Sequence, residues 1–208
     1  MIVLGLTGSI GMGKSATAAL FARRGVPVFD ADAQVHALMA PGAAGFRAVA
    51  AAFPEAVING RIDRPALGAL VFKDPAAKAR LEALLHPLVF RAQWEFLARC
   101  CRQRRRHVVL DVPLLLETGG RTRVDWVVVV TAPAFLQRQR VLARPGMTEQ
   151  RFQGILSAQM PDRDKRRHAD FLIPTGLGFR VASEAVGQVL RTTRRRAGRV
   201  WPRPRPIV

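Results

Sequence analysis

The sequence has almost no cysteine and no long apolar run, and each absence excludes a class of protein. Its 208 residues include only two cysteines, Cys100 and Cys101, which are adjacent. Because neighbouring cysteines seldom pair, a disulfide framework and a cysteine-based zinc site are excluded, and the reducing cytoplasm is the expected location. No apolar run approaches the ~20 residues that a membrane-spanning helix needs, so no membrane association is expected.

The amino-terminal segment also lacks the features of a targeting signal. Residues 1–7 have no basic region and no cleavage-type site, so they are expected to form a strand rather than a signal peptide. Apolar residues make up 49% of the chain, which is enough to bury a core. The length suits one medium-sized domain with excursions from it. We find no internal repeat.

The charge of the chain is strongly positive and unevenly spread. The formal net charge is +18, and the last eighteen residues contain seven arginines and no acid, so the rest of the chain carries 18 − 7 = +11. The segment 192–208 is rich in proline and arginine and is predicted to be disordered or extended. Since the motifs of known nucleic-acid-binding modules are absent, nucleic acid is not expected as a physiological partner.

Short apolar runs alternate with helical patterns, which predicts an α/β fold. The predicted strands are residues 2–7, 26–29, 108–112, 126–131 and 171–173, and the clearest helices are 15–24 and 179–191. Continuous apolar runs are typical of central strands in a parallel sheet, with helices on both of its faces.

Two long segments between these strands have a different character. Residues 33–106 are predicted to be mostly helical, with punctuation at Pro41-Gly42, Asn59-Gly60 and Asp74-Pro75 and an interruption at His86-Pro87. Residues 137–167 are polar and rich in arginine, which favours a phosphate-handling lid.

The motif that indicates chemistry is Gly8-x-x-x-x-Gly13-Lys14-Ser15. It follows a predicted buried strand and opens a predicted helix, the context in which a phosphate-binding loop occurs. The glycines let backbone N–H groups face phosphate oxygens, Lys14 places a cation at the β- and γ-phosphates, and the Ser15 hydroxyl ligates Mg²⁺. We therefore expect a purine nucleoside triphosphate with Mg²⁺.

Three acids end predicted strands beside this loop. Asp30 and Asp32 follow the strand 26–29, and Asp111 ends the strand segment 108–111 and precedes Val112-Pro113. A carboxylate at this edge can accept a hydroxyl proton or hold Mg²⁺, since ligands bind at the carboxyl ends of parallel strands. The structural alternatives are a helix N-cap for Asp30 or Asp32 and a turn before Pro113 for Asp111.

The missing guanine-reading motif and the length of the chain favour a small-molecule kinase over other nucleotide-binding proteins. The guanine-reading motif Asn-Lys-x-Asp of GTPases is absent, and the chain is short for a motor ATPase. The alternatives are a kinase for nucleosides or nucleoside monophosphates, and a nucleic-acid-binding protein switched by nucleotide.

In order and spacing, these segments resemble the dephospho-coenzyme A kinase family from Ile2 to about Leu190. The resemblance rests on Leu6–Ser15, Phe29–Asp32, Arg64 with Leu67 and Phe72, Leu85–Pro87, Asp111–Glu117, Gln137 with Arg140 and Arg144, Gln159, and Ala169-Asp170. It implies transfer of the γ-phosphoryl group of ATP to the ribose 3′-hydroxyl of dephospho-coenzyme A, the last step of coenzyme A biosynthesis.

The resemblance also implies a P-loop kinase three-layer fold and a set of site residues. The core is expected at 1–32, 107–136 and 168–191, the helical acceptor-binding insertion at 33–106, and the lid at 137–167, within a domain of residues 1–191. The expected catalytic residues are Asp32, Lys14 and Arg140. ATP is expected to contact Gly8, Gly11, Met12, Gly13, Lys14, Ser15, Ala16 and Arg144. The acceptor is expected to contact Asp32, Arg64, His86, Pro113 and Leu114, and Mg²⁺ to contact Ser15 and Asp111.

Several of these assignments have alternatives or departures from the family. Arg64 equally suits an ion pair with Asp63 or Glu82, and His86 equally suits a buried structural position at a proline kink. Ala16 stands where a threonine is usual, which favours a lower triphosphate affinity. The usual asparagine after Asp170 is missing, which leaves backbone groups of 174–176 as the alternative adenine contact. A monomer or weak homo-oligomer that binds ATP and dephospho-coenzyme A is expected.

Overall fold

The computed structural model describes residues 1–201, which form two compact units. One unit comprises residues 1–29 together with the chain from Cys100 onward, and the other comprises residues 30–99. The predicted α/β fold with a parallel sheet is confirmed. The division into core, acceptor-binding insertion and lid remains a prediction. No helix within residues 1–201 combines the length and the apolar character that crossing a membrane demands.

The secondary structure follows the predicted order. The strands are β1 (Ile2–Thr7), β2 (Val28–Asp30), β3 (Val57–Ile58), β4 (Arg61–Ile62), β5 (His107–Asp111), β6 (Trp126–Thr131) and β7 (Phe171–Pro174). The helices are α1 (Lys14–Arg23), α2 (Ala31–Leu38), α3 (Phe46–Ala52), α4 (Arg64–Lys73), α5 (Pro75–Arg102), α6 (Ala134–Leu142), α7 (Glu149–Ser157), α8 (Asp162–Arg167) and α9 (Phe179–Thr193).

Five strands form one sheet in the order β2-β5-β1-β6-β7. Strand β1 lies in the middle and pairs in parallel with β5 and β6, with Ile2 opposite His107 and Leu4 opposite Trp126. We call the side of the sheet where the strands begin the amino edge and the side where they end the carboxyl edge. Because β1 has six residues, about 20 Å of strand separates the two edges.

The core of this unit lies on the sheet and is built from its continuous apolar runs. All six residues of β1 are buried, as are the four valines of β6. Phe21 of α1 and Val186 of α9 pack in the same cluster, and both are fully buried. Strands buried on both faces explain why these runs do not alternate between polar and apolar residues.

The unit of residues 30–99 has its own core and one element that differs from the prediction. Val49, Phe53, Leu67 and Leu85 are buried together. Strands β3 and β4 form an antiparallel hairpin in a segment predicted to be mostly helical. The turn is Asn59-Gly60, where both residues have positive φ, of 50° and 71°. Asn-Gly is the pair that a two-residue hairpin turn prefers, so the sequence did carry the signal.

Helix α5 corrects a second prediction. It runs without a break through His86-Pro87, where an interruption was expected. Proline removes one backbone hydrogen bond and crowds the preceding turn, which usually ends or kinks a helix. Here the buried side chains of Leu85, Phe96 and Leu97 lie on both sides of the proline, so packing along the helix offsets that cost.

The segment after α9 corrects a third prediction, that residues 192–208 are disordered or extended. Thr192 and Thr193 belong to α9, and residues 194–201, which we call the strap, fold back on the sheet unit. The Asp125 carboxylate accepts the N–H groups of Arg199 at 2.6 Å and Val200 at 3.0 Å. Trp201 is only 8% exposed. The rest of the predicted tail, 202–208, lies outside the described residues.

Candidate active site

The glycine-rich loop between β1 and α1 lies at the carboxyl edge of the sheet. Gly11 and Gly13 adopt left-handed backbone angles, with φ of 76° and 86°, which residues with a Cβ disfavour. At Gly8 the constraint is space, because a Cβ there would overlap the side chain of Val130 in β6. The loop is therefore shaped by both backbone conformation and close packing.

Helix α1 turns its unpaired N–H groups toward this loop. Its N-cap, Gly13, offers no side-chain acceptor, and the first turn contains no acid. The first N–H groups of a helix lack partners within the helix and add to the positive end of its dipole, which suits a phosphate. Ser15 and Ala16, which were assigned to ATP, are exposed in this turn.

Lys14 and Asp111 form an ion pair, with Nζ 2.5 Å from Oδ1. The two residues meet because β1 and β5 are neighbours, so the loop after β1 lies beside the last residue of β5. The Asp111 side chain is only 3% exposed. A triphosphate that binds Lys14 must therefore either displace the Asp111 carboxylate from the ammonium group or share that group with it.

Two glutamines from the arginine-rich segment hold the outer part of the loop. Gln137 in α6 donates from Nε2 to the carbonyl oxygen of Ile10 at 2.7 Å. The Ile10 N–H donates to Oε1 of Gln159 at 3.0 Å. Both backbone groups of Ile10 are thus bonded to residues 137–167, the segment predicted to be the lid.

Arg140 also contacts the loop, directly at the carbonyl oxygen of Gly11, 3.5 Å from its guanidinium, and through Thr175. Its guanidinium donates to the Thr175 hydroxyl at 3.1 Å and to the Thr175 carbonyl oxygen at 2.9 Å. The Thr175 hydroxyl in turn donates to the carbonyl oxygen of Met12 at 2.7 Å. The second predicted lid arginine, Arg144, is exposed just after α6. Arg140 is therefore fixed beside the loop, whereas Arg144 is not.

The side chain of Met12 connects the loop to the end of β6. Its side chain is 2% exposed, and its sulfur accepts the N–H of Ala132 at 3.1 Å. Ala132 directly follows β6, so this contact joins the middle of the loop to the end of the adjacent strand. Sequence reasoning assigned Met12 to ATP; the structure gives its side chain a packing role.

A buried ion pair joins α8 to the turn after β5. Lys165 is fully buried, and its Nζ lies 2.8 Å from Oε1 of Glu117 and 3.2 Å from the carbonyl oxygen of Pro113. The same Glu117 oxygen accepts the N–H of Met160 at 3.0 Å. Burial alone would raise the pKa of Glu117, but the hydrogen bonds from Lys165 and Met160 and the lysine charge hold that pKa below its ordinary value.

The carbonyl groups of the two predicted acceptor contacts in this turn are already used. The Pro113 carbonyl also accepts the Thr7 hydroxyl at 2.8 Å. The Leu114 carbonyl accepts the Thr118 hydroxyl at 2.8 Å. Both residues are half-buried, so any acceptor contact at Pro113 or Leu114 falls to other atoms.

The other predicted acceptor residues, Asp32, Arg64 and His86, belong to the unit of residues 30–99. Asp30 is the N-cap of α2, since its carboxylate accepts the N–H of Ala33 at 2.9 Å, whereas Asp32 is exposed in the first turn. The cap role therefore falls to Asp30 and leaves the Asp32 carboxylate available.

Arg64 and His86 do not take their structural alternatives. Arg64 makes no ion pair with any described residue; Asp63 caps α4, and Glu82 lies 3.9 Å from Lys78. Arg64 lines a hollow with His36, Val35 and other residues of α2 and α4. His86 is exposed, not buried, and its ring lies 5.9 Å from that of Phe90.

The oxygen ligands at the loop fit Mg²⁺ held together with a triphosphate. Within residues 1–201, no three His, Cys, Asp or Glu side chains cluster closely enough to hold a metal ion by themselves. Ser15 supplies a hydroxyl and Asp111 a carboxylate. Mg²⁺ is usually held by one or two such protein ligands together with phosphates and waters.

Sequence reasoning missed two residues of this edge, Lys165 and the Thr175 side chain. Lys165 lies in a run of charged residues, where a buried lysine has no local signal. Thr175 was considered only for its backbone, because a threonine after a short strand is unremarkable. Each takes part through contacts more than 35 residues distant, Lys165 with Pro113 and Thr175 with Met12.

The chain is similar in sequence to known dephospho-CoA kinases and in structure to a solved protein. The profile of the family described as dephospho-CoA kinase matches residues 2–176. A dephospho-CoA kinase from Paramagnetospirillum magneticum is 64% identical over 166 residues, which are 80% of this chain and 78% of the relative. One from Mesorhizobium japonicum is 56% identical over 198 residues, 95% of this chain and 100% of the relative. A solved structure from Thermus thermophilus superimposes with a TM-score of 0.83 at 36% identity, covering 92% of this chain and 96% of that one.

Proposed function

Because the chain belongs to the dephospho-CoA kinase family, we propose that it transfers the γ-phosphoryl group of ATP to the ribose 3′-hydroxyl of dephospho-CoA, giving CoA and ADP. This is the last step of CoA biosynthesis. The observation that carries the proposal is the ion pair of Lys14 with Asp111, which lies beside the open N-terminus of α1. A cation, a carboxylate and free N–H groups are the parts that phosphoryl transfer from a triphosphate requires.

The loop is the donor half of the reaction. N–H groups at the start of α1 receive the phosphates, and Lys14 moves from Asp111 toward the β- and γ-oxygens. Asp111 and the Ser15 hydroxyl would hold Mg²⁺, whose charge offsets the negative charge on the transferring group. Preorganised groups of this kind stabilise the transition state because they need no reorganisation during the reaction.

Arg140 and Arg144 act from the arginine-rich segment. Arg140 is already oriented by Thr175, so a small shift brings its guanidinium from the Thr175 carbonyl to a phosphate oxygen. Arg144 is exposed and joins when the segment closes. Guanidinium groups bind phosphate through two parallel hydrogen bonds, and closure excludes water that would otherwise hydrolyse ATP.

Asp32 is the general base for the 3′-hydroxyl. Its neighbour Asp30 spends its carboxylate on the helix cap, whereas Asp32 is exposed with its carboxylate available. Arg64, His86, Pro113 and Leu114 are the other acceptor contacts. The proposal includes a cytoplasmic location and a monomer or weak homo-oligomer; the support for this location is that neither of the two adjacent cysteines, Cys100 and Cys101, is in a disulfide.

The reaction is tested by ADP release with dephospho-CoA, AMP, CMP and water as acceptors. Only dephospho-CoA is expected to stimulate release strongly, and its product should carry phosphate on the 3′-oxygen by ³¹P NMR. Stimulation by AMP or CMP without stimulation by dephospho-CoA would overturn the proposal.

The base is tested by Asp32→Asn, with Asp30→Asn as the matched control. Loss of a general base is expected to lower kcat by about 10² or more. Asn caps a helix about as well as Asp, so Asp30→Asn should keep both the fold and kcat. If Asp32→Asn keeps near-normal kcat, or if both variants lose activity equally, Asp32 is not the base.

A further inference from the structure

The strap and its surroundings form an arginine-rich surface at the amino edge of the sheet, opposite the loop. Arg106 directly precedes β5, and Asp125 directly precedes β6, while the strap carries Arg194, Arg195, Arg196 and Arg199. The register sets the first residues of β1 and β5 side by side, so these groups share one edge. We call Arg106, Arg121 and the four strap arginines the arginine edge.

The strap is anchored through its backbone, which leaves the side chains of its four arginines exposed. The carboxylate of Asp125 accepts N–H groups from Val3, Arg199 and Val200 at 2.6–3.0 Å. The guanidinium of Arg106 donates to the carbonyl oxygens of Arg194 and Arg196, the latter at 3.1 Å. A charged partner on each backbone side thus fixes the segment in place.

The guanidinium groups of the strap have no acidic partner. Throughout residues 1–201, the side chains of Arg194, Arg195, Arg196 and Arg199 make no hydrogen bond or ion pair, and all four are exposed. The two nearby acids are already used, since Asp125 binds backbone N–H groups and Asp170 binds the N–H of Val127 at 2.7 Å and Arg121 at 3.2 Å. The edge therefore carries an uncompensated positive charge.

The surface is concave in two places that meet. One hollow is lined by Arg106, Arg194 and Arg195. The other is lined by Arg121, Asp125, Arg195, Arg196, Arg199 and their neighbours. Because Arg195 belongs to both hollows, a linear anion can run from one to the other without leaving the arginines.

We propose that the arginine edge binds a chain of linked phosphate groups, independently of its sequence. Guanidinium groups bind phosphate bidentately, and several of them along a path suit a polyanion better than a single small anion. Trp126, the aromatic residue that lines the second hollow, is half-buried in β6, and Trp201 of the strap is buried, so within residues 1–201 the hollows present no exposed aromatic ring to stack on bases. A single-stranded nucleic acid and inorganic polyphosphate both supply this chemistry.

The test measures fluorescence anisotropy of a labelled 20-residue oligouridylate with the full chain over a range of KCl concentrations. Arg195→Gln/Arg196→Gln/Arg199→Gln is compared with Arg47→Gln/Arg99→Gln/Arg180→Gln, which removes the same charge from exposed positions elsewhere. The strap variant should raise Kd at least tenfold near 100 mM salt and lower the log–log salt slope by about 2, since each contact contributes about 0.7 for single strands. The control should change Kd less than twofold.

Two further arms identify the source of the phosphates. Inorganic polyphosphate and unlabelled RNA of equal charge each compete with the labelled oligouridylate. If polyphosphate competes more strongly than RNA, the surface is assigned to polyphosphate; if it competes more weakly, the surface is assigned to nucleic acid. Equal binding of the strap and control variants overturns the proposal, as does equal competition by polyglutamate, which would indicate attraction to any polyanion. Turnover with dephospho-CoA should be unchanged in the strap variant, and the circular dichroism spectrum should be unchanged in both variants, which verifies their fold.

Discussion

At the carboxyl edge of the sheet, the cations Lys14, Arg140 and Lys165 each donate to oxygen atoms of the protein. At the amino edge, the strap arginines have backbone anchors, and their guanidinium groups have no partner among residues 1–201. The first arrangement holds each cation in one orientation, so a ligand exchanges partners instead of ordering a side chain. The second must order each arginine on binding, at about 0.5–1.5 kcal/mol per side chain.

The contrast separates two uses of positive charge in one small domain. Fixed cations suit catalysis, in which a misplaced charge costs rate. Free cations suit a ligand that is recognised by its charge and not by its shape, with affinity that falls steeply as salt is added. Changes that release a fixed cation, or that fix or remove a free one, test this contrast.

The largest effect is expected where a fixed cation is fully buried. Lys165→Met leaves the Glu117 carboxylate half-buried without its partner, and breaking such a pair costs about 3–5 kcal/mol. The double variant Lys165→Met/Glu117→Leu should recover most of this loss, because no charge is then left unpaired. Free energies of unfolding come from urea titration.

The control for the buried pair is Arg91→Met, which breaks the exposed pair with Glu95. Exposed pairs contribute little, so a loss below about 1 kcal/mol is expected. Similar losses for Lys165→Met and Arg91→Met would show that burial of Lys165 does not matter to the stability of this edge.

The second effect concerns turnover. Lys14→Ala removes the cation that leaves Asp111 for the phosphates, and a loss in kcat of about 10² or more is expected for a preorganised donor of this kind. Lys78→Ala, which removes an exposed lysine, should keep kcat within twofold. A loss below tenfold for Lys14→Ala would contradict its place on the transferring phosphoryl group.

The third effect lies at the amino edge. Asp125→Asn removes the charge that accepts three N–H groups, and the expected loss in stability is about 2 kcal/mol, since hydrogen bonds to charged groups exceed neutral ones. Because Asp125 is at the edge opposite the loop, kcat should stay unchanged. A loss of turnover without a loss of stability would refute the separation of the two edges.

The smallest effect is a pH dependence at the same edge. Burial, then the charges of Arg106 and the N-terminal ammonium, lower the pKa of His107, whose Nε2 lies 2.9 Å from the Thr193 hydroxyl. The unfolded chain therefore binds this proton more readily than the folded protein. The free energy of unfolding is highest above pH 6.5, where His107 is neutral in both states, and decreases as the pH falls through the folded pKa. His107→Gln should flatten the fall in Tm between pH 7.5 and 5.5, and exposed His168→Gln should not. Equal slopes in all three proteins would exclude the histidine.

Local sequence patterns predicted the parallel sheet and the loop because both depend on short segments. The strand β1, the glycines of the loop and Lys14 follow one another within fourteen residues, so their arrangement can be read from the chain directly. The hairpin at Asn59-Gly60 was equally local, and the helical composition around it obscured a signal that was present.

The contacts that escaped prediction are distant in sequence. The strap has the composition of a disordered tail, and the N–H groups of Arg199 and Val200 find their partner in Asp125, 75 residues before Val200. Lys165 pairs with Glu117 across the sheet unit, and neither residue type is expected in a buried position. Composition describes a segment alone, whereas these contacts depend on what the rest of the fold brings beside it.

Oxidation of the Met12 sulfur should report how often the phosphate loop opens. With 2% of the residue exposed and its sulfur bonded to the Ala132 N–H, an oxidant reaches it only when the loop leaves β6. Oxidation to the sulfoxide would place a polar oxygen where the loop and strand are in contact, so the damaged loop could not return to its original packing. The rate of peroxide oxidation at Met12, relative to that of half-buried Met147 in the same molecule, thus measures how often the loop opens. A nucleotide that holds the loop closed would lower this relative rate.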